Sequence, residues 1–394
     1  MLQTFHIIGI SDSHRLFFPP EVETVIKRGT VFSGGKRHHE IVASCLPAGA
    51  EWINIVVPLE TVFERYRDHT EIVVFASGDP LFFGFANTVQ RVFPEAVIRL
   101  YPSFNSLQML AHRLLLPYQD MCIVSLTGRE WNGLDKALIE GEALIGVLTD
   151  REKTPAAIAR RMLEYGYDNY QMSIGELLGN EEQEQVRTCT LQEAEEHVFR
   201  FPNNLILRRT EARPRLFGIP DKEFCLLNGR AKMITKRPVR LLTLSMLALR
   251  EHSSFWDIGF CTGSVSIEAK LQFPHLRITA FEQREEGRTL MEQNSRRFGT
   301  PGIIAIIGDF METDLTSLPR PDAVFIGGHG GKLIGMLEKI QPVLLPGGVI
   351  VFNSVSEESG RLFREGIGRI GKEIVESIRI QVDAFNAIEI MKAR

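Results

Sequence analysis

Residues 255–268 read FWDIGFCTGSVSIE. An apolar run closes at Asp257, and Gly259 and Gly263 bracket a turn before a new apolar-periodic segment begins. Glycines there let the backbone curve tightly and approach a ligand closely. The pattern predicts a buried strand, a glycine-rich turn and a helix start whose first amides face whatever binds. The next apolar run, residues 276–281, ends at Glu282. An acid about 20 positions beyond the glycines suits a ribose diol, because both hydroxyls can donate to one carboxylate. No Lys-Ser/Thr pair follows the turn, which argues against a phosphate-bearing ligand. A ribose without phosphate points to S-adenosylmethionine, which carries a sulfonium instead; a structural turn with no ligand is the alternative.

The length of 394 residues suggests two or three domains. A hydrophobic share of 44% and a charged share of 24% are those of a soluble globular chain. A net charge of −4 and a pI near 6.2 argue against a general nucleic-acid binder. Cysteines stand at positions 45, 122, 189, 225 and 261 without a C-x-x-C pair. Neither a metal site nor a disulfide framework is expected from them, and a reducing cytoplasm fits best. The N-terminus predicts a short strand rather than a signal peptide, and no run reaches transmembrane length, so no membrane partner is expected.

Upstream, strands are expected at 5–10, 30–32, 97–100, 122–126, 144–148 and 204–207, with another opening the stretch 71–84. Helices are expected at 20–28, 59–67, 107–116 and 154–163, with prolines at the first turns of the first and last. Alternation of strand and helix makes this half α/β with a parallel sheet. Two prolines, a glycine and charged neighbours mark a boundary near 208–223. Beyond it, helices are expected at 241–250, from Glu282 to about 298, and at 333–340. Strands are expected at 303–307 and 321–326, then a turn and strand over 344–353. Residues 376–381 and 387–391 are expected to close the chain as an antiparallel hairpin.

The D-x-G-x-x-x-G turn resembles motif I of the Rossmann-like methyltransferases that use S-adenosylmethionine. With Thr235-Lys236-Arg237, Gly308-Asp309, PDAVFIGGHGG at 321–331 and LPGG at 345–348, the second half resembles the C15-methylating, decarboxylating enzymes of cobalamin biosynthesis. The first half resembles the tetrapyrrole methylase family through GGKRH at 34–38, ASGDPLFFG at 76–84, LTDREKTPAAIA at 148–159 and ELLGNEEQE at 176–184. Together they are similar to the fused, decarboxylating precorrin-6Y C5,15-methyltransferases. The chain departs from the family pattern at Gly9–Ile10–Ser11–Asp12–Ser13, where G-x-G-P-G is usual. It departs again at Thr127, where a histidine is usual, and at His329, where a small residue is common.

The resemblance implies an α/β chain with a tetrapyrrole methylase (class III) fold over 1–210, methylating C5. A Rossmann-like class I methyltransferase fold over 211–394 would methylate C15 and decarboxylate the C12 acetate. The implied cofactor is S-adenosylmethionine and the implied partner a precorrin, a reduced tetrapyrrole. A homo-oligomer, dimer or tetramer, is expected, without nucleic acid. In the second half Gly259, Phe260, Cys261, Thr262 and Gly263 would surround the methionine part and Glu282 the ribose. Asp309 and Phe310 would flank the adenine, and Thr235 would close over the cofactor. In the first half the resemblance puts the cofactor near Gly78, Asp79 and Pro80, with Ser103, Ser106 and Leu126 nearby. Substrate carboxylates call for cations. Candidates are the basic stretch Arg230, Lys232, Lys236, Arg237 and Arg240, together with His329, and Lys36, Arg37 and His38 in the first half. Phe310 as plain core, Thr235 as a helix cap, Asp79 as a turn former and the basic stretch as a solvated linker are the alternatives. For the whole chain the alternatives are a tetrapyrrole-binding protein active only in its second half, and a methyltransferase fusion acting on another substrate such as RNA.

Overall fold

The computed structural model describes residues 2–230, 233–383 and 387–394. Contacts divide the chain into two compact units. The first comprises Met1–Arg129, Ala143–Arg160 and Tyr170–Thr210; the second comprises Glu130–Glu142, Arg161–Asn169 and Glu211–Arg394.

The first unit opens with β1 (Thr4–Ile10), α1 (Pro20–Arg28), β2 (Val31–Gly34), α2 (Lys36–Val42), β3 (Glu51–Asn54), α3 (Glu60–Arg67), β4 (Glu71–Ser77), α4 (Phe85–Val92) and β5 (Val97–Tyr101). These strands form an all-parallel sheet in the order β3-β2-β4-β1-β5. Its central strand β4 is a continuous apolar run, IVVFA, because both of its faces are covered. Phe5 and Ile7 of β1 enter one core with Val62, Phe63 and Val89, while Ile8 and Ile10 enter another with Val22, Val25 and Val42.

There follow α5 (Ser106–Arg113), β6 (Cys122–Ser125), α6 (Asn132–Glu140), β7 (Leu144–Leu148), α7 (Pro155–Glu164), β8 (Tyr170–Glu176), β9 (Gln185–Cys189), α8 (Leu191–Glu196) and β10 (Asn203–Arg209). A second sheet runs β6-β7-β10-β8-β9, with β10 antiparallel to both neighbours.

The second unit continues with α9 (Arg237–Leu247), β11 (Ser254–Ile258), α10 (Ser264–Gln272), β12 (Arg277–Glu282), α11 (Glu286–Phe298), β13 (Ile303–Ile307), β14 (Ala323–Ile326), α12 (Leu333–Ile340), β15 (Val349–Ser354), α13 (Glu357–Arg369), β16 (Ile374–Ile380) and β17 (Ile388–Ala393). Its sheet runs β13-β12-β11-β14-β15-β17-β16, the last two strands forming an antiparallel hairpin. Strand order reverses between β11 and β14, and ligands bind beyond the carboxyl ends of strands at such a reversal. Trp256 and Ile258 face one core and Phe255 the other. Among the described residues no helix is long and apolar enough to cross a membrane.

Several elements lie outside the expected set. No element was expected directly after β2, yet α2 begins at Lys36, with Ile41 and Val42 buried. Helix α13 carries Gly360, Gly366 and Gly368, which weaken helices. It forms because Ser356 caps it and Phe363 and Ile367 are buried, and Gly366 lets α12 approach: a Cβ there would lie 2.5 Å from Leu337 Cδ1.

Candidate active sites

In the second unit the backbone leaves β11 through left-handed conformations at Gly259 (φ +78°), Cys261 (φ +52°) and Gly263 (φ +75°) before α10 begins. The amides of Gly259 and Phe260 donate to Phe281 O at 2.7 and 3.2 Å, and Gly327 N donates to Ile258 O at 2.8 Å. The turn is thereby tied to the ends of both neighbouring strands. A Cβ on Gly259 would lie 2.7 Å from Gly328 N and 2.8 Å from its carbonyl oxygen, so glycine is required where the 327–331 loop meets the turn. Glu282 ends β12 almost fully buried. Its Oε2 accepts from Cys261 N at 2.8 Å, and its Oε1 accepts from Arg284 N at 3.1 Å and faces Arg284 Nη1 at 3.2 Å.

Asp257 is fully buried. Its Oδ2 accepts from Ser266 N (3.1 Å) and Ser266 Oγ (2.6 Å), while Oδ1 has no partner. Burial pushes its carboxyl up to about 7. Thr262 Oγ1 is likewise buried and unpartnered. Two orphaned polar atoms on one glycine-built turn, beside a buried acid, fit the expected adenosyl cofactor, which carries an ammonium and ribose hydroxyls as donors. Burial also raises the Cys261 thiol to about 11, so it is protonated at neutral pH.

Asp309 follows β13. Its Oδ2 lies 2.5 Å from Lys332 Nζ and its Oδ1 accepts from Met311 N at 2.9 Å, and the bond to Lys332 holds the carboxyl below its usual range. Phe310 packs edge-on to Phe281 (5.1 Å) and Trp256 (6.5 Å) within the core. Thr235 precedes α9, and its carbonyl accepts from Arg240 Nη1 at 2.8 Å. Lys236 lies 3.7 Å from Asp221, and Arg237 is exposed.

The basic stretch is not one surface. Arg240, expected to meet substrate carboxylates, has no exposed surface. Its Nε donates to Glu268 Oε2 at 2.6 Å, its Nη1 to Asp221 Oδ1 at 3.2 Å, and its Nη2 to Ile219 O. It sits on the inward side of α9 with Val239, Thr243 and Leu244 and ties the incoming chain to α10. Arg230 is exposed, and Lys232 lies outside the described residues. His329 is not a ready cation either. Burial lowers its pKa, and its Nδ1 accepts from Gly331 N at 3.1 Å, which leaves the proton on Nε2.

In the first unit the ends of β1, β4 and β5 converge. A Cβ on Gly9 would sit 1.8 Å from Gly78 O, and that oxygen accepts from Ser103 N at 3.3 Å. Beyond these ends lies a cavity of about 680 Å³, reached by residues of both sheets. Gly78, Ser106, Arg37 and His38 line it. Asp79 and Pro80 form the adjoining turn, where Asp79 Oδ1 accepts from Leu81 N at 2.9 Å. Leu126 is fully buried and donates its amide to Leu148 O at 2.8 Å, and Lys36 is exposed.

Arg37 meets Asp12 at 2.8 Å and donates to Ser77 Oγ at 3.0 Å. His38 corrects the expectation of a cation. Burial and the neighbouring Arg37 push it down to about 4, and Gly35 N donates to its Nδ1 at 3.3 Å. The neutral ring therefore carries its proton on Nε2, 2.9 Å from Ser77 Oγ.

Asn204 was missed by sequence reasoning. It lines the cavity from β10, is 1% exposed, and neither its Oδ1 nor its Nδ2 has a partner. An unpaired carboxamide sets N–H donors beside an acceptor oxygen, the complement of an adenine edge, so this cavity also fits the adenosyl cofactor. Its only trace in the sequence is a polar residue opening the apolar run NLIL.

Each unit thus brings closely approaching glycines and unpartnered buried polar atoms to the carboxyl ends of parallel strands, an arrangement suited to a transferase. Residues 5–195 match the tetrapyrrole (corrin/porphyrin) methylases, and residues 228–393 match the precorrin methyltransferase domain. Over 375 residues the chain is 31% identical to the precorrin-6Y C(5,15)-methyltransferase [decarboxylating] of Sinorhizobium sp, covering 94% of this chain and 89% of that protein. The Mycobacterium tuberculosis protein of the same name is 27% identical over 370 residues, covering 93% and 91%. The cobalt-precorrin-6B C(15)-methyltransferase (decarboxylating) of Salmonella typhimurium is 34% identical over 167 residues, 42% of this chain and 85% of that protein. The fold is α/β, a tetrapyrrole methylase fold followed by a Rossmann-like methyltransferase fold. The chain belongs to the family of decarboxylating precorrin-6Y C(5,15)-methyltransferases.

Proposed function

We propose that the chain methylates a precorrin at C5 and C15 and removes the carboxyl of its C12 acetate, giving precorrin-8. Residues 1–210 carry the C5 reaction, and residues 211–394 carry the C15 reaction and the decarboxylation. S-adenosylmethionine, when bound, supplies an activated methyl group and a leaving group that departs neutral. The observation that carries this reading is the pair of glycine-built cradles in one chain, each with buried polar atoms left without partners.

Methyl transfer to an electron-rich ring carbon needs alignment and dryness more than acid–base power. In the second unit Glu282 receives the ribose hydroxyls while Gly259 and Gly328 bring the backbone against the ligand. Cys261, protonated, adds no competing nucleophile. In the first unit Gly9 and Gly78 open the floor, and Asn204 reads the adenine edge. The chain is proposed to work in the cytoplasm as a homo-oligomer, dimer or tetramer.

The test is to incubate the purified chain with the precorrin substrate and S-adenosylmethionine and to weigh the product. Gain of two methyl groups with loss of one carbon dioxide is expected. Gain of a single methyl group would remove one of the two assigned reactions.

A further inference from the structure

The mouth of the first unit's cavity is ringed by phenylalanines left in contact with water. Phe83 is 43% exposed, Phe104 59% and Phe201 43%. Exposed apolar side chains grouped at the edge of a pocket mark a binding surface. Phe83 is also held at φ +52°, a costly backbone conformation for a bulky residue, and such outliers collect at ligand sites. The cause lies in the turn beneath it. Phe82 N bonds Asp79 O at 3.0 Å, and a Cβ on Gly84 would lie 2.3 Å from Pro80 O, so the loop is tight and Phe83 projects from it.

Two guanidiniums lie over these rings: Arg129 is 4.9 Å from the centre of Phe83, and Arg151 is 4.8 Å from that of Phe201. Among the described residues neither is paired with a carboxylate, whereas Arg37, deeper in the cavity, is already held by Asp12. With His38 neutral, the charge open to an anionic ligand sits at the rim. A guanidinium held over a ring still presents its planar fork of donors, suited to bidentate pairing with a carboxylate.

Resting on the proposed function, we infer that Phe83, Phe104, Phe201, Arg129 and Arg151 form the receptor for the tetrapyrrole at the C5 site. The phenyl rings take the apolar face of the macrocycle, and the two arginines pair with two of its peripheral carboxylates. This pairing fixes which edge of the ring enters the cavity, and so which carbon meets the methyl donor.

The test is a fluorescence titration of the full chain with an octacarboxylate porphyrin, at saturating S-adenosylhomocysteine. The wild-type chain is expected to bind porphyrin at two sites. The Arg129→Ala/Arg151→Ala double variant is expected to lose at least about tenfold in affinity at one site and nothing at the other. Lysine at both positions should restore little, because the fork is lost. S-adenosylhomocysteine affinity, measured in parallel by calorimetry, should not change, which separates a lost receptor from a misfolded unit. Unchanged porphyrin affinity in the alanine double variant would overturn the receptor while leaving the proposed function intact. Failure of the wild-type chain to bind porphyrin at all would also overturn the receptor, while the mass of the product formed from the precorrin decides the proposed function independently.

Discussion

Asp257 takes an ionisable carboxyl into a place with no exposed surface. Burial lifts it to about 7, against about 3.9 in an unfolded chain. Between those values the folded state holds a proton that the unfolded state has released. The stability this gives is complete below the unfolded pKa and is lost as pH rises through the folded one. From about pH 5 to about pH 8, Asp257→Asn should therefore lose less melting temperature than the wild type; parallel pH profiles would contradict the assignment. Glu282→Ala should weaken cofactor binding in the second unit by about 2 kcal/mol, the size of a charge-assisted hydrogen bond, while C5 methylation persists. Isothermal titration checks this, and an unchanged affinity would make Glu282 a mere anchor for Cys261 N. Arg240 acts at the same scale but in stability. Glu268→Ala removes the fully buried one of the two carboxylates paired with this guanidinium and should cost up to about 3–5 kcal/mol in chemical denaturation. His329, neutral and bonded to Gly331 N, should tolerate serine with C15 methylation and decarboxylation retained. A hundredfold loss of turnover at unchanged cofactor affinity, of the order seen on removing a general acid or base, would contradict that.

At the scale of elements, the cradles depend on backbones touching. Gly9→Ala pushes a Cβ into Gly78 O at 1.8 Å, and Gly259→Ala pushes one into Gly328. Each should abolish cofactor binding in its own unit and spare the other, as calorimetry on the single variants will register. The strands that frame these contacts were legible because burial on both faces makes them strongly apolar, as in IVVFA of β4 and Phe255, Trp256 and Ile258 of β11. β3 was not, being four residues of which two are exposed, nor was α13, whose glycines hid a helix held by its buried face. In the candidate sites, the glycines could be read because a tight turn constrains residue type, and the place of Glu282 because it closes the apolar run of β12. The state of a side chain could not. Arg237 and Arg240 look alike in sequence, yet one is exposed and the other fully buried, and only the neighbours of His38 make it neutral. Asn204 escaped for the same reason, since an unpaired amide is a property of its surroundings.

For the whole molecule, the second unit includes Glu130–Glu142 and Arg161–Asn169 as well as everything from Glu211 onward. Tyr167 Oη donates to Gly299 O at 2.6 Å, and Arg213 Nη1 reaches Tyr165 O at 3.1 Å and Gly166 O at 2.9 Å. A fragment starting at Glu211 forfeits these bonds. It should fold and bind one cofactor, yet melt below the same unit in the intact chain; an equal melting temperature would show that the upstream segments contribute nothing. One polypeptide is proposed to hold two independent cofactor sites. This is tested most directly by calorimetric titration of the intact wild-type chain with S-adenosylhomocysteine. Two molecules bound per chain are expected, and a single molecule bound per chain would contradict the account.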